Sequence, residues 1–303
     1  MENNVFKVVL LQALPASGKS EVRNFMANIE PERLKKEFHI GENLQLDDFP
    51  YVHMMRRIDN ELEAMGQARL FYPGEEPFID GRDWGTLCCL LNEDYHDLLN
   101  RNVQKPDSCA QLLFDRYDRA GQIVGIAPRL GKLPEEIRKN WRKSWKPRRP
   151  PMLKEKQDAY PDSFDGKTII IECARGGPDG ASMPLTGSDG YQYSLPMFCP
   201  EILENAAILY IWVTPEESRR KNADRADPND PGSNLHHGVP LAVMLGEYGC
   251  DDMEYLVNTS EQKGTVTVKA HGNTYHVRSV FLITVWIRPP SSVQSRPPGT
   301  QHW

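Results

Sequence analysis

An α/β fold, with a mostly parallel sheet and one helical insertion, is what this 303-residue sequence predicts. Two observations carry the prediction. Four apolar runs of strand length, residues 5–11, 43–46, 168–172 and 207–214, alternate with helical patterns such as 51–65 and 84–100. That alternation builds a parallel sheet with helices on both faces. The first run, VFKVVLL, is also near-continuously apolar and β-branched, as expected of a strand buried on both sides.

That first run leads into ALPASGKS, residues 13–20, one residue short of the phosphate-loop pattern G-x-x-x-x-G-K-[ST]. Gly18, Lys19 and Ser20 are in register, and Ala13 stands where the first glycine belongs. The following EVRNFMANI places Val22, Phe25, Met26 and Ile29 at helical spacing. The loop therefore lies between a strand and a helix N-terminus, where backbone N–H groups and the helix dipole face an anion. The expected phosphate cradle is Ala13, Leu14, Pro15, Ala16, Ser17, Gly18, Lys19, Ser20 and Glu21, with Lys19 on the outer phosphates and the Ser20 hydroxyl on Mg²⁺. Alanine can replace the first glycine if its φ stays negative. A structural strand-turn-helix is the plain alternative. A signal peptide is not expected, because the stretch starts with Glu2 and carries only Lys7.

The second strand ends in LDDF, so Asp47 and Asp48 emerge where loops of a parallel sheet converge on a ligand. One carboxylate there can accept a proton from an attacking hydroxyl and the other can hold Mg²⁺ or its water. Capping of the next helix is the structural alternative. The third strand, TIIIE, ends in Glu172, an acid placed to face a metal, and the CARGGPDG that follows brings Arg175 and two glycines. Residues 100–163 form the insertion, with helices expected at 109–120 and 134–145, the latter started by Pro134-Glu135-Glu136.

Bulk properties narrow the classes. Charged residues make up 26% and the formal net charge is −6, which gives no whole-chain signal for nucleic acid. No apolar run approaches membrane length, and cytoplasmic placement is the expectation. The six cysteines show neither CxxC pairs nor zinc spacing and read as reduced, mostly buried thiols. His236-His237 is the one histidine cluster and lacks a third ligand at suitable spacing.

From Gln262 to Trp303 there is no Asp or Glu, where the chain average predicts about six. Residues 1–262 are therefore read as the domain. Residues 263–303 are read as a tail, either disordered toward its Pro-rich end or translated out of frame.

GKS after strand one, DDF after strand two and an acid ending strand three together resemble the P-loop kinases of small molecules, with DDF similar to the strand-end motif of uridine kinases and nicotinamide riboside kinases. The resemblance implies a P-loop NTPase three-layer sandwich, ATP and Mg²⁺ as cofactors, and transfer of the γ-phosphoryl group to a small-molecule hydroxyl. It implies Asp47 as the base, with Ser20, Asp48 and Glu172 around the metal. The segment from 215 to 235, a Pro-started helix bearing Arg219, Arg220 and Arg225, resembles the lid whose arginines close over the transferred group, a role suited to the guanidinium fork.

Residues 137–156, IRKNWRKSWKPRRPPMLKEK, are densely basic, with Ile137, Trp141 and Trp145 along one helical face. Nucleic acid could be held there by phosphate contacts and stacking; otherwise the tryptophans dock the helix while the charges stay in water. No NKxD guanine motif occurs, so a GTPase is not expected. The rival readings are an NTPase coupled to conformational change or nucleic acid, and a nucleotide-binding regulatory protein without catalysis.

Overall fold

The structure, a computed structural model, describes residues 5–144, 160–225 and 238–283. Six strands form one sheet in the order β2-β3-β1-β4-β6-β5. They are β1 (Val8–Gln12), β2 (Glu42–Asp47), β3 (Lys167–Cys173), β4 (Ala206–Trp212), β5 (Thr265–Ala270) and β6 (Asn273–Ile283). All neighbours are parallel except the β5–β6 pair at one edge. A mostly parallel sheet, with helices alternating along the chain, is what the apolar runs predicted; β1 to β4 lie within a few residues of the four predicted strands, while β5 and β6 were not predicted.

Period-two alternation sorts the central strands onto two layers. Val8 and Leu10 join Ile169, Ile171, Ile208 and Tyr210 in one buried cluster. Val9 and Leu11 join Ile170 and Ile211 in another. The first face is covered by α4 (Asp83–Leu99), through Cys88, Leu91, Tyr95 and Leu98, and by the short helices α7 (Gly190–Ser194) and α8 (Pro200–Asn205). The second is covered by α1 (Lys19–Asn28) and α2 (Pro31–Phe38), through Met26 and Leu34. This layering is compatible with a three-layer sandwich. All five residues of β1 are buried, which explains why its sequence shows no polar alternation. Among the described residues, no helix is long and apolar enough to cross a membrane.

A third cluster gathers α3 (Phe49–Ala64), α4, α5 (Cys109–Ile123), α6 (Glu135–Ser144) and α10 (Leu241–Gly246) beyond the carboxyl edge of the sheet. Within it Ile137 and Trp141 are buried, and Trp141 packs on Phe114 with ring centroids 5.1 Å apart. The apolar face of the basic helix thus docks on the core, as the structural alternative had it; residues 145–159, with Trp145 and the KPRRPP link, lie outside the described residues.

The boundary at 262/263 is corrected. Residues 265–283 are not a tail but two strands of the same sheet, and β6 pairs with β4 from Ala207↔Arg278 to Trp212↔Ile283. Val266, Val268, Tyr275 and Val277 are buried in the core. Residues 284–303 and the His236-His237 pair lie outside the described residues.

Candidate nucleotide and acceptor site

The loop leaving β1 has the backbone that an anion cradle needs. Gly18 sits at φ 111° and Ala16 at φ 53°, both left-handed, with Ser17 between them not so. Alternating hands of this kind turn successive N–H groups toward one point. Glycine is required at Gly18, since a side chain at that φ is strained. Ala13 is fully buried and does not have a positive φ, so alanine is accommodated at this position. The Lys19 ammonium lies over the loop, 3.4 Å from the Ala13 carbonyl. Helix α1 starts at Lys19, with Glu21 in its first turn.

Register then assembles the carboxylates. Leu11 pairs with Glu172 across β1–β3, and Asp47 pairs with Glu172 across β2–β3. Three strand ends therefore deliver the loop, Glu172 and Asp47 side by side. Arg23, one turn into α1, bonds Glu172 Oε2 at 3.0 Å and lies 3.6 Å from Asp47 Oδ2. Asp47 Oδ1 accepts the Phe49 N–H at 2.9 Å, so the capping alternative is realised by the same group. Burial first, then the neighbouring Glu172 charge, push the Asp47 carboxyl up to about 7.

Asp48 has a different setting from the metal ligand expected of it. Its Oδ2 accepts from Arg175 Nη1 at 2.6 Å, and both side chains are buried. Arg175 also donates to Ser194 Oγ at 3.0 Å, contacts Cys88 Sγ at 3.5 Å, and lies over the Trp84 ring at 4.7 Å. A buried guanidinium with a full set of acceptors is an anchor, and removing either partner strands the other charge. The two glycines after it pack against the chain itself. A Cβ on Gly176 would meet the Cys250 carbonyl at 2.4 Å, and Gly177 exchanges backbone bonds with Cys250 and Gly249. They fix the 174–177 turn against residues 247–250.

Helix α9 (Pro215–Arg225) meets the loop through Ser218, whose hydroxyl donates to the Pro15 carbonyl at 2.7 Å. Arg225 Nη2 stands 3.4 Å from Ser20 Oγ. Arg219 is tied to Asp179 and Glu216, and Arg220 to Glu217 and Asp224. Of the three arginines expected to reach the phosphoryl group, Arg225 lines the cavity and Arg219 and Arg220 do not. Residues 226–237 of the lid-like segment are outside the description.

The loop, Arg23, Asp47, Asp48, Glu172 and Arg225 border one cavity of about 1400 Å³, larger than a drug-sized ligand needs. The loop residues Pro15–Ser20 and Arg225 form one end. The other end has walls from Val52, Arg56, Tyr72, Trp84, Val243, Glu247 and Tyr248, none of them in a motif visible in the sequence. Asp59 sets the Tyr72 wall: its carboxylate accepts the N–H groups of Leu70, Phe71 and Tyr72 at 2.6–3.2 Å. Asp83, buried, holds Arg129 by two bonds of 2.6 and 2.8 Å. Away from this cavity, the ligand atoms of His96, Cys199 and Glu201 lie within 4.8 Å of one another.

Searches of family models, curated proteins and solved structures find no match to this chain.

Proposed function

We propose that the chain is a P-loop phosphotransferase that binds MgATP at Ala13–Glu21 and transfers the γ-phosphoryl group to a small-molecule hydroxyl. The observation that carries this is the register at the sheet edge. The left-handed loop, Glu172 and Asp47 end three adjacent strands, and all face one cavity. Phosphoryl transfer asks for positioning and charge neutralisation, and the groups present fit those tasks. The loop N–H groups and Lys19 hold phosphate, and Arg225 adds a cation beside Ser20. Ser20 and Glu172 are the residues that would hold Mg²⁺, which supplies neutralisation of phosphate charge. Asp48 leaves the metal set, because it is locked in a buried pair with Arg175, whereas the Arg23 that bonds Glu172 has a 37% exposed side chain.

Asp47 is the proton acceptor in this reading. Its raised carboxyl is a better base than an ordinary aspartate, and Arg23 holds its neighbour Glu172. Arg219 and Arg220 are dropped from the catalytic set. The test is ATP binding and ADP release, with and without a panel of hydroxyl compounds. ATP binding lost in Lys19→Ala, with ADP release that depends on an added acceptor, supports the proposal. ADP release indifferent to any acceptor favours an uncoupled NTPase; binding without release favours a regulatory protein.

A further inference from the structure

We infer that His96, Cys199 and Glu201 form a zinc site that ties helix α4 to the start of α8. The inference does not depend on the phosphotransferase reading, and none of the three residues lines the cavity. A ring nitrogen of His96, the Cys199 Sγ and a carboxylate oxygen of Glu201 lie within 4.8 Å of one another. The His96 Nε2 and Glu201 Oε2 atoms are already 3.6 Å apart. Zinc bonds of about 2.0–2.3 Å to N, O and S set tetrahedral neighbours about 3.3–3.6 Å apart, so the trio has to close by about 1 Å.

The fold positions the donors before any ion arrives. Asn92 stands one turn before His96, on the same face of α4. Its Nδ2 donates to the Met197 carbonyl at 2.8 Å, and its Oδ1 accepts the Cys199 N–H at 3.0 Å. One helix face therefore fixes the backbone at Cys199 and presents an imidazole beside it. Outer contacts of this kind orient metal ligands. Pro200, at the first position of α8, then restricts the step from Cys199 to Glu201. Cys199 is buried, whereas the His96 and Glu201 side chains are 47% and 57% exposed. An ion thus enters from solvent through the two exposed donors, which can turn to meet it.

The donor set selects the ion. One thiolate, one imidazole and one carboxylate suit zinc, while the sulfur disfavours Mg²⁺ and Ca²⁺. Among the described residues no Lys or Arg pairs with Glu201, and its contact with His96 is an exposed one, worth little by itself. Binding exchanges the Sγ proton, released to solvent, for a Zn–S bond. Water takes the fourth position. The ion then links α4, which covers one face of the sheet, to the helix that leads into β4. Its effect is to stabilise the fold.

The test uses the full chain, stripped of metal by a chelator, kept reduced, and given Co²⁺ or Zn²⁺ alone. Cobalt should produce a sulfur-to-metal band in the near ultraviolet and the strong visible bands of tetrahedral coordination. Oxygen ligands at Ser20 and Glu172 cannot give the sulfur band. Zinc, measured by competition with a chromophoric chelator, should bind with a Kd of about 1 μM or tighter. At a hundredfold excess over Kd it should raise the melting temperature by about 3 °C or more. Cys199→Ser should remove the sulfur band. His96→Ala, at an exposed position, should weaken zinc about tenfold or more and leave the metal-free melting temperature unchanged. No sulfur band in the wild type, a band that survives Cys199→Ser, or zinc affinity indifferent to His96→Ala overturns the site. Should Cys199→Ser fail to fold, His96→Ala and Glu201→Gln decide: both must weaken zinc and cobalt, and unchanged binding in either overturns the inference.

Discussion

If Asp47 is held in the fold as a base, its substitution by Asn should stabilise the protein while disabling it, and the stabilisation should depend on pH. The carboxyl is pushed up to about 7 from an ordinary 3.8 by burial and by Glu172. Below pH ~4 it is neutral in both the folded and the unfolded chain and contributes no difference. Between ~4 and ~7 the folded chain keeps a proton that the unfolded chain releases, so stability falls as pH rises. Above ~7 both forms are ionised and the full cost is present. Three pH units correspond to about 4 kcal/mol at 1.36 kcal/mol each. The side chain is 27% exposed, and water reduces that figure to about 1–3 kcal/mol. Asp47→Asn keeps the shape and the Oδ1 acceptor for Phe49. Melted without Mg²⁺ or nucleotide, it should exceed the wild type by roughly 3–8 °C at pH 8 and by nothing at pH 4. Turnover should fall about 10²–10⁴-fold. A variant no more stable at pH 8, or equally more stable at both pH values, refutes the account of Asp47 as a strained base.

Arg175→Met should destabilise by about 3–5 kcal/mol, because it leaves Asp48 buried without its partner; denaturant unfolding checks this, and a loss under 1 kcal/mol contradicts the anchoring role. Ala13→Gly should change ATP affinity less than threefold by calorimetry, since the alanine has no positive φ to relieve. Arg225→Ala should slow turnover at least tenfold more than Arg220→Ala, whose guanidinium is occupied by Glu217 and Asp224; equal losses would return Arg220 to the site. Ending the chain after residue 262 should prevent folding, because it removes the β6 partner of β4 and buried Val266 and Val268; a soluble, cooperatively melting fragment would show that the sheet closes without them.

How legible the molecule was in its sequence depended on the range of the interaction concerned. The loop and the strand ends were readable because each is a local pattern whose position follows from strand register. Asp47 and Glu172 are 125 residues apart, yet each ends a recognisable strand, and parallel pairing aligns them. Arg175 also lay in view beside Glu172, but its partner Asp48 is 127 residues away. Nothing local distinguishes an arginine that reaches a phosphate from one that turns inward. Tyr72, Glu247 and Tyr248 line the cavity without belonging to any motif, because cavity walls are built from whatever side chains tertiary packing brings to them.

The misread tail shows the converse error. TVTVKA and TYHVRSVFLI alternate with period two, and Val266, Val268, Tyr275 and Val277 are the inward set. A hairpin at the end of a sheet has that pattern, with Gly272 at φ 74° in the turn between its strands. The lack of acids drew the reading toward disorder, although net composition says nothing about which face a residue occupies. The polar positions there are filled by Thr, Lys, His and Arg, which serve as well as acids on a solvated face. Thr265 and Thr267 instead bond Ser260 at 2.9 Å, tying β5 to the end of α11 (Met253–Asn258). Alternation is a statement about geometry, and it outranks composition when the two disagree.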